Sequence, residues 1–447
     1  MKILVIGSGG REHALVWKLR ESQTMEEIYC APGNAGIGQE AECLPVDVTS
    51  PEAILELATR LRIDLTVIGP EAPLVAGVVD LFEKAGLVVI GPTKAAARLE
   101  GSKIFSKQFM ERHRIPSGRF SVPENFDAAA RTLDQFSLPV VVKADGLAAG
   151  KGVVVAATRE EAEKALDDFM RQGVVGKAGE RVVIEECLVG EEVSFIVLTD
   201  GRGMLPMVLT QDHKAIFDND KGPNTGGMGA YSDDLILNER ERDNIFRRIV
   251  APTLAGLSAE GMPYRGFLYC GLMLTAEGPK VLEYNVRLGD PETQPILMRL
   301  RSDLVQILMA VHDGQLAAID AHWTPNPAVC VVLASKGYPG KPETGQGIIG
   351  FQEAEALGGV KVFHAGTAVR EQRLVASGGR VLGVTAIGED LRAAIDRAYL
   401  AVNKICFDGM QYRRDIGAKG LRRVVASRGK RNPAKPRGGL SASGMPS

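Results

Sequence analysis

Several absences narrow the function before any motif is considered. No apolar run approaches the roughly 20 residues that a bilayer-spanning helix needs, and none of the chain reads as a membrane anchor. The six cysteines, Cys30, Cys43, Cys187, Cys270, Cys330 and Cys406, lie far apart with no Cys-x-x-Cys spacing. That argues against a disulfide framework and for reduced, mostly buried thiols. The six histidines show no paired helical spacing, so a zinc site is not expected. A formal net charge of -2 gives no electrostatic reason to expect nucleic acid as a partner. Met1-Lys2 passes straight into Ile3-Leu4-Val5-Ile6, leaving no room for a signal peptide, and a cytoplasmic location is expected. What is present is a globular composition, 45% hydrophobic and 24% charged, over 447 residues. That length corresponds to about three domains.

The most informative stretch runs from Leu282 to Gln294 and reads Leu-Glu-Tyr-Asn-Val-Arg-Leu-Gly-Asp-Pro-Glu-Thr-Gln. Its first part, 281–286, has the pattern of a strand. Alternation then points Glu283 and Asn285 one way and Leu282, Tyr284 and Val286 the other. A carboxylate beside an amide oxygen suits a hard cation such as Mg²⁺. Gly289 and Pro291 take the chain off the sheet, so Arg287, Asp290 and Glu292 fall just beyond the strand end, where open sites usually sit. The competing reading is an ordinary strand end with hydrogen-bonded polar residues.

Residues 1–92 alternate strands (3–6, 28–30, 65–68, 88–90) with helices (12–21, 51–61, 74–85), which predicts a doubly wound parallel sheet. The turn Gly7-Ser8-Gly9-Gly10-Arg11-Glu12 fails as a dinucleotide fingerprint. Glu12 stands where the third glycine belongs, and no acid ends the second strand. Its amides remain candidates for an anion. Asn34 and Glu71 end neighbouring strands and line the same crevice, unless these are only tight turns. Further on, strand 140–143 leads through Asp145-Gly146-Leu147-Ala148-Ala149-Gly150-Lys151-Gly152 into strand 153–156. This is no Walker A loop, because it is one residue short and Gly152 replaces the Ser/Thr. A hairpin flap whose backbone covers a polyphosphate is the expectation. Helix 159–172 precedes strand 182–188, where Glu185, Glu186 and Leu188 form the edge of an adenine slot. Glu192 would hold the ribose, although an acidic pair can equally be a solvated strand terminus. From Asp212 to Ser232 a long polar loop rich in glycine, including Asn224, Thr225, Gly226 and Gly227, reads as an ordered lid without regular structure. Helix 239–257 follows, then strands 267–274 and 281–286 as a pair. Beyond 317 a smaller α+β unit closes over the site, and the tail past Gly420, basic with no acid, reads as disordered.

Lys107, Lys143, the flap 145–152, Glu185 to Leu188, Glu192 and Glu283-x-Asn285, in that order, resemble the ATP-grasp fold. More narrowly the chain resembles the phosphoribosylamine–glycine ligase family. The matching stretches are Gly9-Gly10-Arg11-Glu12-His13-Ala14, Ala31-Pro32-Gly33-Asn34-Ala35-Gly36, Gly69-Pro70-Glu71-Ala72-Pro73-Leu74, 143–152, 222–232 and Gly289-Asp290-Pro291-Glu292-Thr293-Gln294. The resemblance spans about residues 1–420. It implies an N-terminal substrate-binding domain over 1–104, an ATP-grasp domain over 105–316 with its flap at about 117–188, a C-terminal α+β domain over 317–424, and a tail from 425.

The resemblance further implies an ATP-dependent ligase that joins glycine to 5-phosphoribosylamine through a glycyl phosphate, as a monomer or weak homo-oligomer. Substrates would be small molecules, with Mg²⁺ or Mn²⁺ on Glu283 and Asn285. Lys107, Lys143, Gly146, Gly150, Lys151 and Gly152 would meet the phosphates. Arg287 would steady the transferring group, and Asp290 would hold an amine. Gly9, Gly10, Arg11, Glu12, Asn34, Glu71, Asp212 and the lid glycines would meet the other substrates. One departure is Cys270-Gly271-Leu272, where many ATP-grasp enzymes carry another metal carboxylate. The alternatives are an ATP-grasp carboxylase using carboxyphosphate and a non-catalytic nucleotide-binding regulator.

Overall fold

The computed structural model of the protein describes residues 1–148 and 152–423. Strand Lys2–Gly7 is apolar from Ile3 to Ile6 and buried throughout that run, as a strand covered on both faces must be. It lies at the centre of a five-stranded parallel sheet. The order is Glu42–Cys43, Glu27–Pro32, Lys2–Gly7, Leu65–Ile68, Val89–Ile90, so the N-terminal doubly wound expectation holds. The order reverses between Lys2–Gly7 and Leu65–Ile68, which opens a crevice at their carboxyl ends. Helix Pro51–Leu61 starts where expected, with Pro51 in its first turn and the Ser50 hydroxyl accepting from the amide of Ala53 at 3.2 Å. The single helix expected over 74–85 is instead two, Glu71–Ala76 and Val78–Ala85. Gly77 parts them at φ 103°, a left-handed backbone that side chains rarely adopt.

The centre of the chain builds two antiparallel sheets that face each other across a cleft. The smaller one is ordered Phe120–Ser121, Val182–Glu186, Val140–Ala144, Val153–Ala156. Helices Phe126–Thr132 and Arg159–Met170 cover it, closing a separate core around Val140, Val142, Ile184, Leu166 and Phe169. The nine-stranded sheet starts at the edge strand Gly278–Asn285 and proceeds through Gly266–Thr275 and Glu191–Thr199.

One expectation needs correction here. The stretch 212–232 is not an irregular loop. It contains the hairpin Ala215–Phe217/Lys221–Asn224 and the buried strand Gly229–Ser232. Its glycines hid the strand, because Gly229 stands where a side chain would meet the Cys330 carbonyl at 2.7 Å. The α+β segment beyond 317 carries a two-stranded sheet of its own, Thr367–Arg370 with Arg373–Ala376, and also extends the large sheet. Ala328–Ala334 pairs with Gly229–Ser232, and Arg380–Ile387 and Val360–His364 continue the same sheet. Ala328–Ala334 is apolar and buried throughout, and pairing satisfies edges that would otherwise stay open. The helix expected over 239–257 is broken by a π-helical turn at Phe246–Val250, just ahead of Pro252. Proline lacks the N–H and crowds the carbonyl four residues back, and the wider turn relieves both.

An ion-pair cluster ties the N-terminal sheet to this C-terminal segment. Lys361 Nζ donates to Glu40 Oε1 at 2.8 Å, and His13 Nε2 lies 3.6 Å from the same oxygen. The backbone N–H of His364 donates to His13 Nδ1 at 2.7 Å, which places the ring proton on Nε2, facing Glu40. Burial pushes the Glu40 carboxyl up, but His13 and Lys361 outweigh it and hold it at about 2 against an ordinary 4.5. A depressed carboxyl stabilises the fold above its unfolded pKa, and that contribution drains away as pH falls from 4.5 through 2. Glu40→Gln should therefore cost roughly 2–3 kcal/mol at pH 7. It should also flatten the acid limb of the stability profile, as read by denaturant melts between pH 2 and 7.

Candidate active site

The cleft between the two sheets holds a cavity of about 540 Å³. On its flap side, Lys107 from helix Lys103–Arg112 and Lys143 from strand Val140–Ala144 both form ion pairs with Glu185. Val141 is the register partner of Glu185, so Lys143, two residues on, shares its face. All three side chains are buried. Burial pushes the Glu185 carboxyl up, but the two ammonium groups prevail and hold it below the usual range. Burial, with Lys143 beside it, lowers Lys107 against the pull of Glu185. Two cations share one carboxylate, so the trio carries a surplus positive charge suited to an anion. The sequence reads Glu185 as part of the adenine edge; its side chain instead pairs with both lysines.

Opposite them, Glu283 and Asn285 share a face of the edge strand, both half-buried and both lining the cavity. The expected strict alternation fails at Leu282. Gly271 pairs with Glu283 but Leu272 pairs with Val281, so Leu282 is an extra residue in a bulge. It lines the cavity too, and its carbonyl accepts from Lys143 Nζ at 3.1 Å, linking flap and sheet. Burial raises the Glu283 carboxyl, yet Lys214, Lys143, Lys103 and Arg287 bring it down to about 2. The ionised Glu283 and Asn285, whose Oδ1 also accepts from Arg287 at 3.0 Å, present oxygens to the cleft and fit Mg²⁺ or Mn²⁺, which keep several non-protein oxygens. Gly271, opposite Glu283, offers no further side-chain ligand. Among the described residues no group of three or more His, Cys, Asp or Glu is arranged to hold a metal.

Beyond the strand end, Arg287 donates to Glu100 at 2.8 Å, to Glu71 at 3.3 Å and to Asn285 Oδ1 at 3.0 Å. Burial drives Glu100 up to about 7 although Arg287 opposes it. Asp290 accepts from Arg380 at 3.0 Å and from Gln294 at 2.9 Å. Burial raises the Asp290 carboxyl, but Arg380 and Arg11 hold it below its usual range. Arg380 also donates to the carbonyls of Gly226 and Asp290, each at 2.6 Å, while the Gly226 amide donates to Tyr338 Oη at 2.9 Å. Asp212 lines the cavity, pushed up to about 7 by burial and by Glu292, Glu192 and Glu283, against Lys214. Asn224, Thr225 and Gly226 line it as expected, and Gly227 packs on Pro291. Gly146 and Gly152 are at the flap side. Gly150 and Lys151 lie outside the described residues.

Several expected contacts turn out to be structural. Glu12 reaches back so that Oε2 accepts from the Gly9 amide at 2.6 Å, and Oε1 accepts from Arg11 at 2.6 Å. A side chain on Gly7 or on Gly69 would collide with it. Glu12 thus fills the switch-point crevice and takes the amide that sequence reasoning had assigned to an anion, a carboxylate at the third helical position doing a capping role. Gly10 abuts Gln294 rather than the cavity. Asn34 spends its amide on the carbonyls of Ser8 and His364 and the N–H groups of Gly36 and Ile37, so it holds the loop. Arg11 and Glu71 do line the cavity. Glu186 accepts from the amide of Arg119 at 2.9 Å, and Leu188 packs near Gly118. Glu192 pairs with Lys214 at 3.1 Å. Unforeseen were Glu100, Lys103, Lys214, Tyr338 and Arg380. Lys214 carried a signal, since alternation puts it on the face of Asp212. Arg380 carried none.

Comparison with known proteins follows the same outline. Three family models described as phosphoribosylglycinamide synthetase match the chain: the N domain at 1–100, the ATP-grasp (A) domain at 101–293 and the C domain at 328–419. By fold and cleft the protein is an ATP-grasp ligase. Two curated phosphoribosylamine–glycine ligases are similar along nearly their whole lengths. That of Xylella fastidiosa is 52% identical over 427 residues, covering 95% of this chain and 99% of its own. That of Pseudomonas aeruginosa is 50% identical over 426 residues, with 95% and 99% covered. The crystal structure of the Thermotoga maritima phosphoribosylamine–glycine ligase superposes with a TM-score of 0.81 at 35% identity, covering 93% of this chain and all of that one. The chain belongs to the phosphoribosylamine–glycine ligase family. A biotin carboxylase domain from Hydrogenobacter thermophilus, TM-score 0.69 at 17% identity over 92% of this chain and 91% of that one, shares the fold alone.

Proposed function

We propose that this protein joins glycine to 5-phosphoribosylamine at the expense of ATP, giving glycinamide ribonucleotide, ADP and phosphate in purine biosynthesis. The observation that carries the reading is near-full-length identity of about half to ligases named for this reaction, 52% over 427 residues in one case. The division of labour would follow residues 1–104, 105–316 and 317–424, in a cytoplasmic enzyme that is a monomer or weak homo-oligomer.

The substrate carries its own nucleophile. A glycine carboxylate oxygen attacks the γ-phosphorus, ADP leaves, and the acyl phosphate is captured by the sugar amine with loss of phosphate. Such chemistry asks the protein for positioning and charge neutralisation rather than an activated Ser, Cys or His. Lys107 and Lys143 hold the phosphates, and Gly146, Gly150, Lys151 and Gly152 cover them. Glu283 and Asn285 hold Mg²⁺ or Mn²⁺, which when bound shields charge on the polyphosphate. Arg287, fixed by Glu71 and Glu100, steadies the transferring group. Asp290, held ionised by Arg380, receives an ammonium. Arg11 is the candidate for the ribose phosphate, and Asp212 with Asn224 to Gly227 closes over the acceptor. Glu186 and Leu188 present backbone to the adenine.

The test is stoichiometric. Sustained ADP release should require glycine and phosphoribosylamine together and should be indifferent to bicarbonate. Bicarbonate-dependent ADP release without glycine would favour a carboxylase.

A further inference from the structure

Two cations in the cleft, Lys103 and Lys214, have no part in the scheme above. Lys214 follows strand Thr210–Asp212 and projects into the cavity. Its ammonium lies 3.1 Å from Glu192 Oε2 and 3.6 Å from Glu283 Oε1. Asp212 shares its face two residues earlier. The side chain is about a quarter exposed, so water screens these contacts only in part. Glu283 is also the carboxylate assigned to the metal, and the inference rests on that assignment. Two positive charges cannot both lean on one carboxylate without repulsion, so whichever binds weakens the other.

We propose that Lys214 and the divalent ion are alternative counter-cations of Glu283, so that the metal enters the cleft with the nucleotide rather than ahead of it. The charge lining the cavity explains the order. Among the described residues seven cationic side chains line it against six carboxylates, a cationic surplus. A free divalent ion reaching Glu283 would add two charges and strip Lys214 of a partner inside a cleft already cationic. A metal carried on a polyphosphate brings its own compensating anion, which also gives the displaced ammonium new oxygens to contact. Lys214 thus discriminates against bare metal and in favour of the metal–nucleotide complex, and Glu192 keeps it within reach when Glu283 changes partner.

The test reads Mn²⁺ binding without turnover, from the electron paramagnetic resonance signal of free Mn²⁺ titrated with nucleotide-free protein. Lys214→Met and Lys214→Gln should bind Mn²⁺ at least tenfold more tightly than wild type, and Lys214→Arg, which keeps the charge, should not. Adding Glu283→Gln to Lys214→Met should erase the gain. Circular dichroism and thermal melts establish that each variant is folded, and two uncharged replacements guard against one failing. Unchanged or weaker Mn²⁺ binding in both uncharged variants overturns the role of Lys214. The metal assignment itself stands in that case if Glu283→Gln still weakens Mn²⁺ binding in the presence of a non-hydrolysable ATP analogue. A gain that survives Glu283→Gln overturns both.

Discussion

Glu283→Gln should lower turnover by about 10³-fold, the upper end of what removing one charge-stabilising contact to a reacting group costs. The side chain keeps its size and an oxygen, so packing beside Gly271 and the bulge at Leu282 is undisturbed. What is lost is one negative charge in a site where four cations, Lys214, Lys143, Lys103 and Arg287, already bear on that carboxylate strongly enough to hold it at about 2. The amide would leave those cations under-compensated and the divalent ion with no anionic protein ligand. Steady-state kinetics should show the loss chiefly in kcat, with a raised metal requirement. Melting temperature should fall less than in Glu40→Gln, because over a third of the Glu283 side chain is exposed and water screens its ion pairs. Near-normal turnover at ordinary metal concentrations would remove Glu283 from the site.

Glu185→Gln should act in the opposite way, on stability first. Lys107, Lys143 and Glu185 are all buried, and the carboxylate is the ion-pair partner of both ammonium groups. Removing the partner of a buried charge costs roughly 3–5 kcal/mol, because the remaining charge stays desolvated and unpaired. Here two are left facing each other. The deficit should be seen in denaturant melts and should shrink when ATP is added, since the polyphosphate supplies the missing anion and bound ligand stabilises by mass action. An equal loss with and without ATP would mean that the lysines do not meet the nucleotide. A loss within about 0.5 kcal/mol, the range of an ordinary surface change, would mean that the trio is solvated.

How far the residues foretold this site depended on whether the information was local. The parallel N-terminal sheet was readable because unbroken apolar strands such as Ile3 to Ile6 alternate with amphipathic helices. The pairing of Glu283 with Asn285 followed from a period of two. The same rule failed one residue earlier, because a bulge depends on the partner strand, and nothing in Leu282 announces that Gly271 lies across from the next residue. The glycine-rich stretch 212–232 reads as a lid by composition, yet it supplies a central strand of the large sheet, a fact set by Ala328–Ala334 about a hundred residues away. In the sequence Glu12 reads only as the wrong residue for a dinucleotide turn. Its positive role, filling the space between Gly7 and Gly69, appears once the strands are side by side. Arg380 and Tyr338 reach the cleft from strands and loops whose sequence carries no chemical pattern, so only tertiary structure could bring them in.

The central claim is that glycine's own carboxylate attacks ATP within this cleft, and oxygen tracing tests it most directly. With glycine labelled by ¹⁸O in both carboxylate oxygens, mass analysis of the inorganic phosphate should find one labelled oxygen per turnover, left behind when the amine displaces phosphate from the acyl carbon. Phosphate free of label, with product still formed, would contradict the mechanism and the residue roles built upon it.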